Sequence, residues 1–175
     1  MNPLQKYNIP FVGLSFGKHV FQYEIDRKFF EAFQYTEIQN ITCNADVVLD
    51  KKNNFFELLI QIDGITSLLC DVTNEPFDEH IQNSLHLVVK FGEEFNDEHE
   101  EVLIIPHESF QINVAQYIYE AILLAIPIKK VHPGIADGTL KSPVLEKLKD
   151  LEIHEKPMID PRWAQLNQLL TPKKQ

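Results

Sequence analysis

Apolar and polar residues alternate over long stretches of the chain. Ile41, Cys43, Ala45, Val47 and Leu49 fall on one side, with Thr42, Asn44, Asp46 and Asp50 mostly opposite. This period of two predicts a strand with one buried face. After a turn over residues 51–54 the alternation resumes, Phe56, Leu58, Ile60 and Ile62 against Glu57, Gln61 and Asp63, so a long hairpin is expected until Gly64 breaks or bulges it. A third strand through Thr66, Leu68, Cys70 and Val72 turns at Asn74-Glu75-Pro76, and a fourth returns through Ile81, Leu85, Leu87, Val89 and Phe91. Ahead of them Phe21, Tyr23 and Ile25 alternate with Gln22, Glu24 and Asp26. Consecutive strands with short connections predict an antiparallel sheet.

At residues 113–126 the period changes to that of a helix. Val114, Tyr117, Ile118, Ala121, Ile122, Leu124 and Ala125 share one wide face, and only Gln116 and Glu120 interrupt the apolar surface. Asn113 is expected to cap the start, with Gln116 reaching back to the cap and Ile112 packing on Tyr117. Pro127 ends the helix after roughly 13 residues, too few to span a bilayer, so it is read as the core helix that the sheet must cover. Asp26 is placed as the cap of a short helix with Phe29, Phe30 and Phe33 turned inward.

Elsewhere the pattern is less regular. Pro3, Pro10, Gly13 and Gly17 forbid a long helix in the lead. Residues 92–101 read as an exposed, charged loop before a short apolar strand over 102–105. Turn signals follow at His132-Pro133-Gly134 and Asp137-Gly138, then a short helix near Val144 and a last one after Asp160-Pro161, with Trp163, Leu166 and Leu169 as its docking face. The expected fold is therefore α+β: an antiparallel sheet, with a barrel-like one as an option, covered by one apolar helix, with an irregular C-terminal tail carrying short helices. Residues 1–132 are read as one domain and 133–175 as an extension packing on it or on a partner.

Composition narrows this picture. A chain of 175 residues is the size of one core. No basic stretch followed by an apolar run opens it, so neither a signal peptide nor a membrane anchor is predicted and a cytoplasmic protein is expected. Cys43 and Cys70 lie in separate strand-like stretches, which suits reduced thiols. The net charge of −10 is unevenly placed: residues 1–126 carry 7 basic against 20 acidic side chains, a balance of −13, and residues 127–175 carry 9 against 6, a balance of +3. Between Asp71 and Glu101 ten carboxylates face the single Lys90. That run reads first as a solubilising face and second as a surface for a basic partner.

Candidate chemistry is sparse. Residues 13–17, GLSFG, match the G-x-S-x-G of a serine-hydrolase elbow, but a strand follows where the chemistry needs a helix, so the match is read as coincidence. The seven histidines are scattered, and neither H-E-x-x-H, C-x-x-C nor a phosphate-cradling glycine loop occurs. No catalytic residue, cofactor or zinc cage is predicted. Glu120 is the one provocative ionisable group, and it is read mainly as part of a polar stripe with Gln116.

Three blocks carry a resemblance: SLLCDVTNEPF at 67–77, EAILLAIPIKKVH at 120–132 and DPRWAQLNQLL at 160–170. Their order resembles the YceD family of bacterial large ribosomal RNA subunit accumulation proteins, over about 100 of the 175 residues. The matching positions are Cys70, Glu75, Pro76, Phe77, Glu120, Leu124, Ala125, Pro127, His132, Asp160, Pro161 and Arg162. Thr73 stands where relatives carry the second cysteine of a Cys-x-x-Cys pair, and the further cysteines of many relatives are missing around 134–143. Any metal site of those relatives is therefore not expected here. The resemblance implies a non-enzymatic role in accumulation of large-subunit (23S) rRNA.

The expected partners are that rRNA or its precursor and a basic large-subunit ribosomal protein, with no DNA and no membrane. RNA contact is assigned to the basic end, Lys129, Lys130, His132, Lys141 and Arg162, although lysines there also complement a helix C-terminus. Protein contact is assigned to Glu93, Glu94, Glu98 and Glu100. The alternative from another class is a small enzyme or ligand-binding protein using Glu120 or a histidine in a barrel-like cavity.

Overall fold

The computed structural model describes residues 3–99 and 101–151. The chain divides into two compact units, Met1–Thr139 and Leu140–Gln175. The first opens with a 3-10 helix, Pro3–Tyr7, and continues through β1 (Asn8–Pro10), β2 (Gly17–Ile25), α1 (Arg27–Ala32), β3 (Asn40–Lys51), β4 (Phe55–Leu69), β5 (Pro76–Gly92), β6 (Asn96–His99), β7 (Val102–Pro106), β8 (Gln111–Asn113), α2 (Ala115–Ala125) and α3 (Pro133–Ala136). The described part of the second unit contains α4 (Pro143–Leu151), which buries no residue. Among the described residues no helix is long and apolar enough to cross a membrane.

Six strands form one sheet in the order β2-β3-β4-β5-β7-β6, and β1 pairs with β8 in a separate two-stranded sheet. The α+β class stands, with two corrections. Among the described residues the sheet is open, ending at β2 and β6, and no closed barrel forms. It is also mixed: β2 to β5 are antiparallel neighbours, but β7 lies parallel to β5. The reason is a hairpin inserted the other way round. The chain leaves β5, makes β6 at the outer edge and returns as β7 between them, antiparallel to β6 and so parallel to β5. The charged stretch expected as a loop thus contains a short edge strand, whose side chains remain mostly exposed.

The alternation places the core correctly. Ile41, Cys43, Ala45, Val47 and Leu49 of β3 and Phe56, Leu58, Ile60 and Ile62 of β4 are all buried. Gly64 does not end β4, which runs unbroken for 15 residues. Thr66 and Leu68 beyond it stay on the inner face, in phase with Ile62. Gly64 pairs with Cys43, and a Cβ there would meet the Cys43 Cα at 2.5 Å. The glycine marks a close approach of two backbones, not a break.

Helix α2 packs on β4 and β5 through Ala115, Tyr117, Ile118, Ala121 and Ile122, all buried. Asn83, an inner-face position of β5, donates from Nδ2 to the Ala121 carbonyl at 2.9 Å, which satisfies its amide under the helix. Leu124, expected on the inner face, is 75% exposed: it follows Gln116 and Glu120 at four-residue spacing, at the edge of the buried face, while Leu123, Ala125 and Ile126 beside it pack on the core. The start also differs from expectation. Asn113 belongs to β8 and its Oδ1 accepts from the Ala115 amide, one position ahead of the cap residue Val114, while Gln116 donates forward to Glu120. Asp26 caps α1 as expected, accepting from the Phe29 amide at 3.3 Å. The irregular lead contributes more than expected, since Tyr7, Ile9 and Phe11 are all in the core.

The GLSFG stretch lies in the loop into β2, with Gly17 at φ +109°. The Ser15 carbonyl faces the His19 ring, and Lys51 clamps the loop by donating to the Phe11 and Leu14 carbonyls. No helix follows it, so the strand-to-helix elbow is absent.

Candidate functional site

The sequence blocks that looked most specific meet at the β4–β5 end of the sheet. The inner-face parity of β4 carries Leu68 and then Cys70 inward, and β5 returns with Phe77, so these three form a small second core beside Val72, Ile126 and Ile135. The connection between the strands is tight. The Cys70 amide donates to the Glu75 carbonyl at 2.9 Å and the Asn74 amide to the Cys70 carbonyl at 2.8 Å, with Asn74 in the left-handed region at φ 57° that asparagine tolerates. Pro76 begins β5, where a strand accepts a residue without an amide proton.

Pro127 delivers the second block. The residue before a proline is driven to extended backbone, and Ile126 leaves α2 at ψ 128°. The chain then runs alongside the turn. Asp71 takes Lys130 in both directions, its amide donating to the Lys130 carbonyl and its Oδ2 accepting from the Lys130 amide, each at 2.8 Å. The His132 amide donates to the Cys70 sulfur at 3.3 Å. The His132 Nδ1 accepts from the Gly134 amide at 2.9 Å and so caps α3, while its ring lies 5.7 Å from that of Phe77. Gly134 is required by crowding: a Cβ would meet Thr139 Oγ1 at 2.9 Å and the His132 ring at 3.0 Å.

Cys70 is 2% exposed. Burial pushes its thiol up, but hydrogen bonds from the Thr73 hydroxyl and from the amides of His132, Thr73 and Val72 outweigh it and bring the pKa down to about 7. Cys43 shows the contrast, raised to about 11 chiefly by burial. Thr73 thus supplies a donor to Cys70 where a second thiolate would supply a metal ligand. One thiol, one hydroxyl and an imidazole whose Nδ1 is already engaged do not make a zinc cage, and among the described residues no three His, Cys, Asp or Glu converge on a metal position.

The predicted site residues distribute as follows. Cys70, Glu75, Pro76, Phe77, Pro127 and His132 come together, with the backbone of Lys130. Ile128 and Lys129 project beside them, Ile128 fully exposed. Lys141 belongs to the second unit, and Asp160, Pro161, Arg162 and Glu100 lie outside the described residues. Glu93 and Glu94 are exposed in the bend after β5, and Glu98 is exposed on β6. Glu120 stands apart. It accepts from Gln116 at 2.9 Å and faces an open depression of about 210 Å³ with Asp97, His99 and Tyr117, not the inside of a barrel. Burial, Asp97 and Glu120 together raise Tyr117 to about 12. The sequence singles out Thr73 only for the cysteine it replaces and Gly134 only as a turn signal, and it gives Asp71 no structural role. All three sit inside or just beyond the blocks, but only pairing across 59 residues reveals what Asp71 holds.

An open sheet with one face covered, ending in a hydrogen-bonded knot of two distant segments, defines an α+β scaffold that presents surfaces. The chain belongs to the YceD family: the family model described as Large ribosomal RNA subunit accumulation protein YceD matches residues 58–170, well over half of its length. That match begins within β4 and takes in both the knot and the whole of α2. No curated protein and no solved structure matches the chain.

Proposed function

We propose that this protein is a non-enzymatic binding factor of bacterial ribosome biogenesis, acting in the cytoplasm to support accumulation of large-subunit (23S) rRNA. The observation that carries the reading is the knot itself. Asp71 and Cys70 hold the backbone of residues 130–132, and the segment just before it offers a fully exposed isoleucine, Ile128, followed by Lys129. Paired hydrogen bonds at residue 130 fix where the exposed Ile128 and Lys129 stand, which supports their use as a contact with a partner. In this reading the basic end, Lys129, Lys130, His132, Lys141 and Arg162, meets rRNA phosphate. The acidic edge at Glu93, Glu94, Glu98 and Glu100 recruits a basic large-subunit ribosomal protein. In this reading residues 133–175 are a C-terminal extension of the domain at 1–132.

The test is crosslinking in cells followed by sequencing, with the wild type beside a variant carrying Ala at Lys129, Lys130, Lys141 and Arg162. Recovery of large-subunit rRNA is expected to fall for the variant, with the salt slope reduced by about 0.7–0.9 per lost phosphate contact in the purified pair. Equal recovery from a folded variant removes the basic end from the proposal. Reversal of Glu93, Glu94 and Glu98 to Lys is then the decisive arm, and unchanged ribosomal-protein capture removes the acidic edge too.

A further inference from the structure

The two edges of the six-stranded sheet are treated differently. Edge β6 is four residues long, has an irregular register and sets Asp97 beside Glu98, so pairing with a copy of itself would bring like charges together. Edge β2 has none of these protections. It runs for nine residues, GKHVFQYEI, without proline or bulge, and it pairs residue by residue with β3 on one side only. Among the described residues no further backbone hydrogen bond reaches residues 17–25. Val20, in the middle of its outer face, is 63% exposed.

We propose that β2 is a self-association edge, and that a second copy of this chain pairs with it antiparallel about a two-fold axis through Phe21, joining two six-stranded sheets into one. The sequence of the strand is complementary to its own reverse. In the register that overlaps all nine residues, Gly17 faces Ile25 of the second copy, and the exposed Lys18 and Glu24 face each other twice, once on each side of the axis. Val20 then faces Gln22, His19 faces Tyr23, and the two Phe21 rings meet at the axis on the half-buried side. All residues that face each other share a face of the sheet, as antiparallel pairing demands. A slip of two residues toward the strand start pairs Lys18 with Gln22 and leaves Glu24 facing Phe16, outside the strand, so charge and length select the same register. Pairing by one strand makes a small interface, and the dimer is accordingly reversible.

Sedimentation equilibrium of the full chain from about 1 to about 500 µM at low salt tests this, with Lys18→Glu, Glu24→Lys and their equimolar mixture. The wild type is expected to dimerise as concentration rises. Each variant alone carries two like-charge pairs and is expected to dimerise about tenfold more weakly, while the mixture restores both attractions and returns to within about threefold of the wild type. Both positions are exposed, and Glu24 faces the uncharged Asn44 in its own sheet, so Glu24→Lys remains informative if Lys18→Glu, which faces Asp50, melts earlier. A wild type that stays monomeric throughout, or a dimer that neither reversal weakens, overturns the proposal; so does a mixture no tighter than its components.

Discussion

Gly64→Ala is the substitution that tests the architecture most directly. The added Cβ would lie 2.5 Å from the Cys43 Cα, 2.5 Å from the Thr42 carbonyl oxygen and 2.7 Å from the Cys43 Cβ. Two of these three atoms are backbone, so no rotamer change relieves the overlap. Ordinary contact begins at 3.4 Å, and β3 and β4 must part by most of an ångström at that point. A displacement of that size takes neighbouring ladder bonds out of good geometry. Overpacking costs about 1–3 kcal/mol, and each loosened hydrogen bond costs about 1 kcal/mol more. Restricting the unfolded chain returns about 0.4–1 kcal/mol. The expected net loss is about 3 kcal/mol, a large share of the 5–15 kcal/mol typical of a domain. The assay is urea unfolding beside Gly13→Ala, where nothing lies within 4 Å of the added methyl and φ is not left-handed, so the same change is expected to be neutral or stabilising by up to about 1 kcal/mol. A Gly64→Ala protein within about 0.5 kcal/mol of the wild type would mean that the strands separate freely there and that β4 behaves as two strands hinged at the glycine.

Two further outcomes follow from packing and from the thiol. Ile118→Ala or Ile122→Ala, each at a fully buried site under the sheet, is expected to cost about 2–5 kcal/mol in denaturant unfolding, whereas Leu124→Ala at its exposed position is expected to cost under about 0.5 kcal/mol; equal losses would place α2 in the wrong rotation. For Cys70 the folded pKa of about 7 lies below the ordinary 9.0, so the hydrogen-bonded thiolate stabilises the fold fully above about pH 9 and that contribution is lost as pH falls through 7. Relative to Cys70→Ala, the wild type is therefore expected to gain about 1–2 kcal/mol between pH 6 and 9, somewhat less than the full shift from 9.0 to about 7 would give. The ultraviolet absorbance of the thiolate should titrate near pH 7 in the wild type only, and a midpoint at 9 would refute the role given to Thr73 and the His132 amide.

Much of the fold is legible in the sequence alone. Period-two alternation identifies the inner faces of β3, β4 and β5 residue by residue, because in a half-buried strand each side chain's environment is set by its own parity. Asp26 as a cap and Pro127 as a stop are likewise local chemistry, settled within one turn of backbone. The blocks that resemble the family are also visible, as three separate strings of residues.

What the tertiary structure decided depends on partners remote in sequence. Gly64 looked like a break because a missing side chain reads the same whether the strand ends or another backbone approaches; only the position of Cys43 distinguishes them. The insertion of β7 between β5 and β6 depends on which limb of a hairpin docks, and both limbs offer the same backbone donors and acceptors. Leu124 belongs to the apolar arc of the helix but falls at its edge, in line with Gln116 and Glu120, and which edge is covered is set by how α2 sits on the sheet. The knot of Asp71, Cys70, Lys130 and His132 joins segments about sixty residues apart. Each segment alone leaves its amides and carbonyls without stated partners, and pairing them is a property of the closed chain.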